Sequence, residues 1–341
     1  MVRVAVNVEQ LLHEAPGGIG RYTAELVRLL PARGVAVTPF TARHSRQAVD
    51  AALRAYDLTG IDPVVLPLPA ALLYDAWHVL GAFGPVRRVA PVDLVHAPSA
   101  AVPPTGRVPL VVTLHDAAPI VMPEGFTRRG VWFHRRGFAA AAKRARLVIA
   151  VSEFSADEIA SHTAIPRGQI RVVANGVDPV RSSPEVVEQV RAMFGLGDVP
   201  YVFWVGTAQP RKNVRTLLDA FTRLDASEFP HRLVLAGAPG WKPDGEDEEV
   251  VRLLGDRVRQ VGRVTDAQLF ALLAGADLFT FPSRHEGFGI PVLEAMAQGT
   301  AVLCADIPAL REVAGGAARF VAPDDAEGWI DALRSLLGDP G

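Results

Sequence analysis

Short, almost wholly apolar runs recur along this chain, and a helix-length segment follows nearly every one. A first series comprises Val2 to Val8, Leu94 to His96, Leu110 to Leu114, Leu147 to Val151 and Ile170 to Ala174. A second comprises Tyr201 to Gly206, Leu233 to Gly237, Arg259 to Gly262, Leu278 to Phe281, Ala301 to Cys304 and Ala318 to Val321. Strands with so little polar alternation suit a parallel sheet covered on both faces. Parallel strands need crossovers, so the pattern predicts an α/β chain with right-handed strand–helix–strand units. The stretch Asp178 to Pro200 is more polar and carries Ser182-Ser183-Pro184, which sets a boundary after residue 180. The expectation is two doubly wound, Rossmann-like domains, residues 1–180 and 181–341. Domains of that kind, facing each other, take ligand at the carboxyl ends of their strands.

Composition narrows the classes. A length of 341 residues fits two domains, and a hydrophobic content of 49% supplies a core for each. A formal net charge of −2 offers no bulk attraction to nucleic acid. Cys304 is the single cysteine, so no disulfide framework exists and a reducing, cytoplasmic compartment is expected. Met1 to Val8 reads as a strand rather than as a charged head before an apolar signal core. No apolar run approaches the roughly 20 residues of a membrane span.

The chemistry concentrates in Ser283-Arg284-His285-Glu286-Gly287-Phe288-Gly289-Ile290-Pro291-Val292-Leu293-Glu294. The glycines and Pro291 forbid one continuous helix, so the spacing predicts a strand, a glycine loop and a helix from about Pro291. Glu286 then stands on the loop above the helix N-terminus, and Glu294 one turn inside. Free amides at a helix start attract phosphate, and carboxylates accept hydrogen bonds from sugar hydroxyls. A nucleotide sugar asks for both. On spacing alone, a plain loop-to-helix turn with two solvated acids also fits.

Other segments carry weaker signals. Gly17 and Gly18, in Ala15-Pro16-Gly17-Gly18-Ile19-Gly20-Arg21-Tyr22, let backbone amides approach a ligand before a helix from Tyr22 to Leu30; a plain turn reads the same way. The three-glycine dinucleotide fingerprint does not fit there. His115 closes a buried strand, where either a satisfied structural imidazole or a reacting group can stand. Thr207, Arg211 and Lys212 follow the first strand of the second series; Arg offers phosphate a fork and Lys a point charge, and a solvated basic turn is the alternative. Thr265 or Asp266 fits a helix cap after Gly262-Arg263-Val264. Residues 126–146 gather seven cations with Trp132, Phe133 and Phe138. That pattern is either a solvated helix face or a docking surface for anionic lipid head groups or a lipid pyrophosphate.

Together these segments resemble the retaining glycosyltransferases of family 4, whose fold is GT-B. The motif from Glu286 to Glu294 continues into Ala295-Met296-Ala297-Gln298-Gly299, and Val148 to Ser155, Val173 to Asp178 and Asp306 to Val313 also fit. The resemblance covers nearly the whole chain, most specifically residues 201–322. It implies that Glu286 meets the donor sugar and Glu294 the nucleotide ribose. It implies a donor loop of Gly287, Phe288, Gly289 and Ile290, with Lys212 and Arg211 on the diphosphate. Many members carry an Arg where this chain has Thr207. His115 falls beside the transferred sugar, Gly17 and Gly18 by the donor phosphate or acceptor, and Arg263 and Val264 at the nucleobase.

The resemblance further implies front-face transfer with retention, assisted by the departing phosphate, with no metal and no cofactor. Its mannosyltransferase-type branch makes GDP-mannose the first donor expectation, with UDP-sugars open. The acceptor is expected to be a glycan, a lipid-linked glycan or a small molecule. An epimerase, a phosphorylase-like enzyme and a non-catalytic sugar-nucleotide-binding subunit are the competing readings. A phosphorylase needs a pyridoxal-binding lysine, and lysines stand only at Lys143, Lys212 and Lys242. Intact Glu286, Glu294, Lys212 and His115 argue against a decayed subunit. The family usually adds a last helix returning to the first domain, and none is read near Gly341.

Overall fold

The structure, a computed structural model, describes residues 1–13, 17–178, 181–238 and 245–338. Ala15 and Pro16 of the first glycine segment, Pro179 and Val180 at the expected boundary, Lys242, and Asp339 to Gly341 lie outside the described residues. The chain divides into two compact units, Met1–Asn175 and Gly176–Gly341.

The first unit is built on one seven-stranded sheet. Its strands are β1 (Val2–Asn7), β2 (Val35–Thr41), β3 (Val64–Val65), β4 (Leu94–Ala97), β5 (Leu110–Leu114), β6 (Leu147–Ala150) and β7 (Ile170–Val172). They lie in the order β3-β2-β1-β4-β5-β6-β7, parallel throughout. The second unit carries β8 (Tyr201–Val205), β9 (Arg232–Ala236), β10 (Val258–Gly262), β11 (Leu278–Phe281), β12 (Val302–Ala305) and β13 (Arg319–Val321). Their order is β10-β9-β8-β11-β12-β13, again all parallel. Each unit therefore starts at mid-sheet, winds outward, then returns to wind the other way. The reversal falls between β1 and β4 in the first unit and between β8 and β11 in the second.

The sheets are covered on both faces, as their apolar strands require. In β1, Val4 and Val6 pack with Val27, Val49 and Leu53, while Ala5 packs with Phe40, Trp77 and Val95 on the other face. In the second unit Tyr201, Phe203, Phe221, Phe279, Phe281 and Trp329 are fully buried.

Three local differences from the sequence pattern have physical reasons. β2 and β3 lie outside the expected strands, because β2 mixes Thr38 and Pro39 into its run and β3 has two residues. Pro39 is tolerated because β3 pairs only with Phe40 and Thr41, leaving the rest of β2 an edge. The first helix spans Gly17–Leu29, so Gly17, Gly18 and Gly20 form its first turn instead of a loop before Tyr22. The polar stretch after Asp178 holds a helix, Pro184–Met193, whose Val190 joins the second core.

Candidate functional site

The reversal between β8 and β11 fixes the chemistry of the second unit. The loop after β8 carries Thr207, Gln209, Arg211 and Lys212; the loop after β11 carries His285 to Gly289. Neighbouring strands bring the two loops together, and several contacts lock them. The Arg284 amide donates to the Arg211 carbonyl at 2.8 Å. Asn213, buried and in the left-handed region (φ 55°), donates its amide to the carbonyls of Pro282 (3.1 Å) and Pro323 (2.9 Å). An added Cβ on Gly237 (φ 130°) would lie 1.9 Å from the Gly206 carbonyl oxygen, so the loops after β8 and β9 can touch only with glycine there.

Within this frame Lys212 Nζ donates to Glu286 Oε1 at 2.5 Å, and Arg211 Nη1 to Glu286 Oε2 at 3.5 Å. Arg211 is held by the Gln209 amide oxygen (3.1 Å) and the His285 carbonyl (3.3 Å). Lys212 also stands 4.9 Å from the centre of the Phe281 ring. Glu286 is buried, at 8% exposure. Burial pushes its carboxyl up, but the charges of Lys212 and Arg211 and the Lys212 hydrogen bond outweigh this and hold it below the ordinary value. Gly289 (φ 103°) caps the Ile290–Gln298 helix, and a Cβ there would meet Leu310 Cδ2 at 2.5 Å. Glu294 is buried on that helix.

The first unit builds a different site at its own reversal. The loops after β1, β4 and β5 surround a cavity of about 250 Å³, lined by Gln10, His13, Tyr74, Ser99, His115 and Asp116, with Phe133, His134 and Phe138 from the Arg128–Arg144 helix. His115 Nε2 donates to the Pro98 carbonyl at 3.0 Å, which leaves Nδ1 as an acceptor. Its ring meets Tyr22 edge-on, with centroids 5.0 Å apart. Tyr22 and His96 both hydrogen-bond Thr113 Oγ1, at 3.0 and 2.9 Å. Burial pushes the lining residues His13, His115 and His134 below the ordinary imidazole value, so the cavity's imidazoles are neutral, and it takes His96, behind Thr113, down to about 4. After the first strand, the buried Glu9 accepts from Thr41 Oγ1 (2.5 Å) and the Ala42 amide (2.8 Å) and pairs with His44 (2.7 Å).

Of the residues singled out in the sequence, Arg211, Lys212 and Glu286 are brought into contact, with Gly287, Phe288, Gly289, Ile290 and Glu294 continuous with them. Thr207 lies on the same β8 loop, partly buried. Arg263 and Val264 follow β10 at the sheet's edge, two strands from β8, and Arg263 is exposed. Next to them Thr265 and Gln268 form a complete capping box for the Asp266–Ala274 helix. Gly17, Gly18 and His115 belong to the first unit, with Ile19 and His115 on one cavity. Glu9, Tyr22, His96 and Thr113 were not singled out. A carboxylate two residues beyond the first strand was the one available signal for Glu9. Among the described residues no group of three His, Cys, Asp or Glu side chains stands in a metal-holding arrangement.

The fold has counterparts among solved structures. The Anabaena protein HepE, solved in complex with UDP and glucose, superposes with a TM-score of 0.75 over 99% of this chain and 90% of its own, at 21% identity. The fold is GT-B. The model for Glycosyltransferase Family 4 matches residues 16–181, and that for Glycosyl transferases group 1 matches residues 199–339. The chain therefore belongs to glycosyltransferase family 4. The O-antigen chain mannosyltransferase B of Escherichia coli is 34% identical over 67% of this chain and 61% of its own length. A D-inositol 3-phosphate glycosyltransferase of Nocardioides sp. is 29% identical over 94% of this chain and 78% of its own. The match thus spans less than two thirds of the mannosyltransferase.

Proposed function

We propose that this protein transfers a mannosyl unit from GDP-mannose to a glycan acceptor with retention of configuration. One observation carries the reading: a buried carboxylate clamped between Lys212 and Arg211 at the β8/β11 reversal, above the start of the Ile290–Gln298 helix. Two cations and a helix start make a diphosphate site, and their positions are already fixed. As the C1–O bond breaks, charge grows on the leaving diphosphate; groups fixed beforehand stabilise it without reorganising.

In this reading Glu286 orients the sugar and steadies both cations, and Glu294 meets the ribose. Gly287, Phe288, Gly289 and Ile290 line the donor beside Thr207, and the backbone at Arg263 and Val264 meets the base. Gly17 and Gly18 present amides from the first helix's opening turn. His115, neutral and with Nδ1 able to accept, meets a hydroxyl of the transferred sugar or of the acceptor. The acceptor lies in the first unit's cavity, where imidazoles, Gln10, Ser99 and aromatic rings suit sugar hydroxyls and faces. The similarity to a named mannosyltransferase supports the sugar. No metal and no bound cofactor take part.

The test is a transfer assay with GDP-mannose, UDP-glucose and UDP-galactose against mannose-terminated oligosaccharides, with the product anomer read by NMR. GDP-mannose alone giving an α-linked product supports the reading. Transfer only from a UDP-sugar, or donor turnover without a glycan product, contradicts it.

A further inference from the structure

The helical run 70–80 (Ala70–Asp75 continuing as a π turn, Ala76–Leu80) carries apolar side chains on both its inner and its outer side, with Asp75 and His78 as its ionisable residues. Its inner side buries Leu73, Ala76 and Trp77. Its outer side shows Leu72, Val79 and Leu80 at 59%, 54% and 72% exposure, followed by Phe83 at 52%. Positions 72, 79 and 80 share one helical face. Among the described residues twelve large hydrophobic side chains are exposed, and four of them fall between 72 and 83. A helix with two apolar sides calls for a second apolar neighbour.

The loop beyond is fixed in this display. Trp77 Nε1 donates to the Phe83 carbonyl at 3.0 Å. Phe83 sits at φ 59°, an unfavourable region for an aromatic residue, and a Cβ on Gly84 would lie 1.9 Å from the Pro104 carbonyl oxygen. The backbone is clamped and the ring points to solvent.

Cations surround this apolar strip. Arg87 and Arg88 follow it, both exposed. Arg129 pairs with Asp75 at 2.5 Å, and Arg144 Nη1 donates to the Trp77 carbonyl at 2.9 Å, so the Arg128–Arg144 helix lies alongside. On it the Arg129 and Arg136 guanidiniums stand 4.6 and 5.8 Å from the Trp132 ring. Residues 70–90 and 126–146 hold nine Lys or Arg and one acid, Asp75. A chain of net charge −2 thus carries +8 in these two segments and −10 elsewhere. Such a separation selects a negatively charged partner for this face and repels it from the rest.

We propose that the outer face of residues 72–88, with the adjoining arginines of the Arg128–Arg144 helix, docks this protein on an anionic bilayer surface. Leu72, Val79, Leu80 and Phe83 enter the head-group boundary, while the arginines meet lipid phosphates. A second copy of the chain fits less well, because it would set like charges against each other.

The test uses the full chain and phosphatidylcholine vesicles with and without phosphatidylglycerol, at low and high salt, read by co-sedimentation. Binding is expected only with phosphatidylglycerol, and to fade with salt. Leu80→Glu with Phe83→Glu should weaken it tenfold or more. Arg87→Ser and Arg88→Ser should each weaken it about fivefold. GDP binding and the melting temperature serve as controls and should stay unchanged, which keeps this result separate from the transfer reading. Wild-type binding that ignores phosphatidylglycerol, or is indifferent to the Leu80 and Phe83 changes, overturns the proposal. So does a solution dimer that Phe83→Glu dissolves.

Discussion

The two units share a topology and differ in what they place at its reversal. In the second, between β8 and β11, the chain sets two cations and a buried carboxylate in contact. In the first, around β1, β4 and β5, it sets imidazoles, hydroxyls and aromatic rings around a cavity. The same backbone plan thus carries a cation–carboxylate cluster at one reversal and a cavity lined mostly by imidazoles, hydroxyls and rings at the other. Topology says where a ligand binds, and the side chains on the flanking loops say which.

Acid should separate the halves most strongly. In the first unit, burial depresses His13, His115 and His134 and takes His78 and His96 down to about 4. A depressed imidazole stabilises the fold fully above its unfolded value near 6.5, and that contribution is lost as pH falls towards the folded value. His78 and His96 alone account for roughly 3 kcal/mol each. Among the described residues the second unit shows one such imidazole, His231, while its depressed carboxyls, Glu185, Asp225, Glu286, Asp306 and Glu327, lose their contribution only at lower pH. Hydrogen exchange between pH 7 and 4 should therefore open the first unit before the second. Earlier opening of the second unit would break the contrast.

Lys212→Met comes next. It removes one of the two charges facing Glu286 and should weaken binding of GDP-mannose by about 1.5–3 kcal/mol, ten- to a hundredfold. Unchanged donor affinity by calorimetry would take Lys212 out of the site. Tyr22→Phe, in the first unit, deletes one hydrogen bond to Thr113 and leaves that of His96. Its effect on kcat should be about tenfold or less. A larger loss would show that the neutral network does more than position His115. The smallest effect is expected from EDTA, which should leave turnover unchanged; rescue of a chelated enzyme by Mg²⁺ or Mn²⁺ would refute metal independence.

Much of this was legible in sequence because buried parallel strands announce themselves. β5 and β11 begin and end where their apolar runs do. β2 was not legible, since its run is broken by Thr38 and Pro39 at an edge. The start of the first helix was misplaced because three glycines read as a loop, yet Gly17 to Gly20 are helical. Lys212 and Glu286 were each visible, but their contact joins residues 74 positions apart. Only the strand order β8-β11 creates it. The chain of contacts from His96 through Thr113 to Tyr22 has no sequence signature at all, because it depends on which side chains point above the sheet.

Glu286 and Glu294, both buried acids at one helix start, are expected to do different work. Glu286 should act on the sugar, where bonds change, and Glu294 on the nucleotide, which is bound equally before and during the reaction. The direct measurement is calorimetric titration of GDP into Glu286→Gln and Glu294→Gln, alongside steady-state kinetics with GDP-mannose. Near-normal GDP affinity and reduced kcat are expected for Glu286→Gln, and weakened GDP affinity for Glu294→Gln. Loss of GDP binding in Glu286→Gln with retention in Glu294→Gln would contradict that expectation.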